Sequence, residues 1–81
     1  MDIEFSIISR GTMIVCYKKK SVKIQGELTL APPIFYANSK SIINWEEPFE
    51  AICVEESEKQ EIMEYITSQS EKQIKTKVIF E

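Results

Sequence analysis

With 81 residues, 43% of them hydrophobic and 28% charged, the chain is long enough for one small hydrophobic core and too apolar for disorder. It holds no histidine, a single aspartate (Asp2) and a single arginine (Arg10), so the side chains from which most acid–base and zinc sites are assembled are nearly missing. A net charge of −3 and a pI near 5.0 argue against nucleic acid as a partner.

The first two thirds of the chain read as short strands. Ile3, Phe5 and Ile7 alternate with Glu4 and Ser6, Arg10-Gly11 supplies a turn, and Thr12 to Lys18 follows with Met, Ile, Val, Cys and Tyr. Apolar on both faces, this second strand is expected to be central in a sheet, with Lys18, Lys19 and Lys20 emerging into water and solubilising a turn. Ser21 to Leu30 alternates most cleanly, with Val22, Ile24, Leu28 and Leu30 on one face and Lys23, Gln25, Glu27 and Thr29 on the other. Gly26 takes the inward position between Ile24 and Leu28, where a missing side chain points to a bulge or to the close approach of something bulky.

Ala31-Pro32-Pro33 ends this strand, because proline has no amide to give a ladder and restricts the residue before it. A shorter strand is expected at Ile34 to Ala37 and a turn at Asn38-Ser39-Lys40-Ser41, while Ile42 to Trp45 fits a strand, a helical turn or an ordered loop. Phe49 to Val54 reads as another strand between Pro48 and Glu55-Glu56. Then the period changes. Ser57 and Gln60 have the spacing of a capping box, Glu58 and Glu61 suit the positive end of a helix dipole, and Ile62, Met63, Tyr65 and Ile66 make a core stripe running to about Ser70, a helix about 20 Å long. Ile74 to Phe80 alternates as a terminal strand. The expected architecture is a single α+β domain over residues 1–81: a mostly antiparallel sheet of about five or six short strands, one helix in the C-terminal half packed on one face, and a final strand.

Nothing in the pattern points to a catalytic, cofactor-binding or metal site. The adjacent pairs Glu46-Glu47 and Glu55-Glu56 point apart rather than sharing a site, and no phosphate loop, metal-binding spacing or calcium loop is present. A thiol nucleophile at Cys16 or Cys53 lacks a histidine base. Each cysteine lies in a strand-like apolar segment, so buried, reduced thiols are expected, with a disulfide left open. The longest unbroken apolar run is Met13 to Tyr17, and Asp2 and Glu4 stand where a signal peptide needs positive charge, so a cytoplasmic protein with no membrane segment is expected.

Charge layout says more than net charge. Residues 1–45 carry three acids and six bases, residues 46–81 ten acids and four bases, and between Glu46 and Glu64 eight glutamates face Lys59 alone. Such a run is either a solvated surface or a ridge whose negative potential draws a cationic partner. Trp45, the only tryptophan, is a core plug or an interface anchor at the ridge's start. The candidate partner-binding residues are therefore Trp45, Glu46, Glu47, Glu50, Glu55, Glu56, Glu58 and Glu61.

At Gly26-Glu27-Leu28, Ile34-Phe35-Tyr36, Ser41-Ile42 and Trp45-Glu46-x-Pro48, followed by the Glu-rich helix and the Val78-Ile79-Phe80 end, the chain resembles the bacterial family catalogued as immunity protein seventy-four. The resemblance spans nearly the whole chain. It implies a cytoplasmic, non-catalytic protein that protects its host by binding and blocking a cognate polymorphic toxin, without fixing the toxin's chemistry or the residues that touch it. The competing expectation is a structural or regulatory interaction module in which an exposed terminal strand at Ile74 to Phe80 pairs with another copy to make a homodimer.

Overall fold

The computed structural model describes residues 3–81; Met1 and Asp2 lie outside the described residues. Strands β1 (Ile3–Ser9), β2 (Thr12–Tyr17), β3 (Lys20–Thr29) and β4 (Ile34–Ala37) are followed by a 3-10 turn at Ser39–Ser41, a long loop, helix α1 (Glu56–Gln73) and strand β5 (Lys77–Phe80). The strands form one five-stranded sheet in the order β1-β2-β3-β4-β5. Every neighbouring pair is antiparallel except β4 and β5. The exception follows from connectivity, since parallel neighbours need a long crossover and residues 38–76, with α1 among them, supply it.

Two tight hairpins build the first half. Ser9 opposes Thr12 around Arg10-Gly11, after a bulge between Ile7 and Ser9. Tyr17 opposes Lys20 around Lys18-Lys19, whose φ angles of 47° and 71° are the left-handed pair that a two-residue hairpin turn demands. Gly26 sits where β3 leaves β2 for β4, its amide donating to the Gly11 carbonyl at 2.9 Å. A Cβ there would run into the Tyr36 carbonyl and lie 2.6 Å from Phe35 Cε1, so the close approach read from the sequence is real.

One face of the sheet carries the core. Ile3 and Phe5 of β1, Met13, Val15 and Tyr17 of β2, Val22 and Ile24 of β3, Phe35 and Ala37 of β4 and Val78 of β5 are buried with Ile62 and Ile66 of α1 and with Ile42 and Trp45 of the long loop. Phe5 and the half-buried Tyr65 of α1 meet edge-to-face, ring centroids 6.1 Å apart. The buried helix positions Ile62, Ile66 and Ser70 recur every four residues, the spacing that keeps one stripe against the sheet.

Several expectations are corrected. β2 is an interior strand as expected, but its apolar outer face is not covered: Met13, Val15 and Tyr17 are inward, while Ile14 is only half-buried and Cys16 is exposed, because among the described residues no layer covers the opposite side of the sheet. Cys16 and Cys53 are free, as expected, yet both are exposed rather than buried. Phe49 to Val54 is not a strand. Trp45 donates to Ile52 O (3.2 Å) and Val54 to Ile43 O (2.8 Å) around the Asn44–Cys53 bridge, so the segment pairs with itself as a two-armed loop. The helix begins one residue before Ser57, with Glu55 as its N-cap and Glu58 returning to the Glu55 amide at 3.1 Å. It runs on to Gln73, about 27 Å for its 18 residues. The last strand is confined to Lys77–Phe80.

Candidate protein-binding surface

The acidic run folds around the tip of the β2–β3 hairpin. Glu46 donates its amide to the Ser21 carbonyl at 2.7 Å, which ties the long loop to the start of β3. Just before it, Trp45 is 1% exposed, stacked on Tyr17 with centroids 5.9 Å apart and planes 16° off parallel. Lys20 Nζ lies 4.8 Å from the indole centroid, within reach of a cation–π contact, and 3.6 Å from Glu58 Oε2. Trp45 Nε1 is a buried donor that finds no hydrogen-bond partner among the described residues. The indole is therefore a core plug beneath the surface, and not an exposed anchor.

The first turns of α1 complete the arrangement. Tyr17 donates its hydroxyl to Glu61 Oε1 at 2.9 Å, and Lys18 Nζ lies 5.2 Å from the Tyr17 ring centroid. The hydrogen bond to the Glu61 carboxylate, helped by burial, raises the Tyr17 pKa above its ordinary value of 10.0, because a phenolate would lose that bond and face a negative charge. Glu56 accepts from Gln60 at 3.2 Å. The basic hairpin tip thus does more than solubilise a turn: its lysines contact Tyr17, Trp45 and Glu58 and offset part of the acidic charge they sit beside.

Of the sequence-derived candidates, Glu47, Glu50, Glu55, Glu56 and Glu61 are exposed and Glu46 and Glu58 are half-buried. Glu58 and Glu61 are held by Lys20 and Tyr17. Two residues outside that set share the loop, Ile43 at 60% and Ile52 at 47% exposure, one on each arm. Their exposure has no sequence signature, since it arises from the loop closing on itself. Among the described residues no group of three or more acids and cysteines is arranged to hold a metal ion. No helix among the described residues is long and apolar enough to cross a membrane. A surface depression of about 600 Å³ is lined by Gly26, Glu27, Tyr36, Asn38 and Glu81, none of them in the acidic run.

The family model described as Immunity protein 74 matches residues 6–81, nearly the whole chain. The chain belongs to that family. No curated protein and no solved structure matches it. For this Immunity protein 74 family member, the match takes in β2 to β5, the acidic loop and α1 whole and β1 from Ser6 onward, so the acidic surface described above lies within the family's domain.

Proposed function

We propose that the protein binds and neutralises a cognate toxin through the acidic surface formed by the 46–56 loop and the start of α1. Family membership carries this reading, and the charge distribution supports it. Glu46, Glu47, Glu50, Glu55 and Glu56 make the direct contacts to a basic region of the toxin, with the exposed Ile43 and Ile52 as apolar contacts beside them. Glu58 and Glu61, engaged internally, add to the potential. Trp45 serves from beneath, holding the loop against the hairpin. The protein works in the cytoplasm of the cell it protects, by occupying a surface and not by turnover.

Co-expression with the product of the adjacent upstream gene tests this. Rescue of growth together with co-purification of a stoichiometric complex is the expected result. Rescue without a complex contradicts neutralisation by binding. A complex that survives reversal of Glu47, Glu50 and Glu56 to lysine with unchanged affinity and association rate removes the acidic surface while leaving neutralisation standing.

A further inference from the structure

The two edges of the sheet are unequal. β5 is only four residues long. Lys77 and Glu81 direct their amides to Pro33 O and Ala37 O of the β4 side, so Val78 faces its amide away from β4, and Ser70 Oγ accepts it at 3.3 Å. With that amide taken and Lys75 and Lys77 beside it, β5 is the shorter and more guarded of the two edges. β1 carries no such guard. It spans seven residues, of which Glu4 alone is charged, with no lysine or proline. Among the described residues, no backbone hydrogen bond leaves it except to β2.

We infer that β1 is the contact between two copies of this chain, paired antiparallel to itself across a two-fold axis through Phe5, so that the two sheets become one of ten strands. The register selects a second copy as the occupant. A two-fold axis normal to the sheet keeps inward residues opposite inward residues, so one residue must face itself. Centring on Phe5 uses the whole regular stretch Ile3 to Ile7 before the bulge. It sets Ile3 against Ile7 of the second copy on the core side, covering an Ile7 that is only half-buried. On the open side it sets Glu4 against Ser6, with no like charges opposed. Centring on Glu4 would oppose two carboxylates, and centring on Ser6 would carry the pairing into the bulge after Ile7. This contact is independent of the toxin-binding reading.

Ser6 is exposed, so its charge can be changed without touching the core. Sedimentation equilibrium of the full chain from low micromolar to several hundred micromolar, on the parent, Ser6→Glu, Ser6→Lys and Glu4→Lys/Ser6→Glu, reads the contact directly, with a thermal melt showing that each variant is folded. The parent is expected to dimerise. Ser6→Glu creates two like-charge pairs and is expected to raise the dissociation constant roughly 2- to 30-fold, whereas Ser6→Lys and the charge-swapped double variant, which both create two opposite-charge pairs, are expected to lower it below the parent value. A parent that stays monomeric throughout, or a dimer indifferent to the charge at position 6, overturns the inference.

Discussion

Lys18 and Lys19 occupy left-handed backbone positions where Asn-Gly is the usual solution, so the turn carries strain of about 1–2 kcal/mol per residue. Lys19→Gly is expected to stabilise the fold by about 1 kcal/mol, visible as a rise of about 4–8 °C in melting temperature. Gly26→Ala should do the reverse. Its Cβ meets Phe35 and the Tyr36 carbonyl, and an overpacking cost of about 1–3 kcal/mol should appear as a lower midpoint in urea. At Tyr17, Glu61→Gln is expected to bring the phenol back toward its ordinary pKa in an ultraviolet titration. Because the folded value lies above the unfolded one, the stabilisation linked to the Tyr17 proton is fully present as alkaline pH approaches about 10 from below and is lost as pH rises through the raised folded value. At this scale Gly26 was legible, since an inward position without a side chain has few explanations. The Lys20 contacts to Trp45 and Glu58 were not, because nothing local to Lys18-Lys19-Lys20 names partners so far along the chain.

Among the elements, alternation made β1 and β3 readable, the proline break at Pro32-Pro33 set off β4, and the stripe of Ile62 and Ile66 made α1 readable. The N-cap was misplaced because two overlapping pairs, Ser57 with Gln60 and Glu55 with Glu58, share the capping-box spacing. Only the folded chain shows that the second also carries Glu58 to Lys20. Phe49 to Val54 misled for a different reason. Its apolar content suits a strand, but its hydrogen bonds return to its own loop, an outcome that composition does not register. The exposure of Cys16 has a similar source, as burial depends on whether a second layer covers the far face of β2. Two outcomes belong to this scale. Ile66→Ala empties a fully buried helix position and is expected to cost about 2–5 kcal/mol, a large share of a total stability on the order of 4–12 kcal/mol for this length. Ser70→Ala leaves the Val78 amide without its acceptor, at about 1–3 kcal/mol in chemical denaturation, and unguards the β5 edge.

For the molecule as a whole, charge and fold divide the labour. The core side of the sheet holds the chain together, while the 46–56 loop and the first turns of α1 gather carboxylates at one end, partly offset by the hairpin lysines. Such an arrangement favours rapid encounter with a cationic surface and should be sensitive to salt. The most direct test of the proposed toxin binding is the association rate with the cognate toxin identified by co-expression, measured by stopped flow at low and high ionic strength for the parent and for the Glu47→Lys, Glu50→Lys, Glu56→Lys variant. The expected result is a parent rate that falls steeply with salt and a variant rate about tenfold or more lower at low salt, the two converging as salt rises. Equal rates and equal salt slopes would contradict toxin capture through the acidic surface.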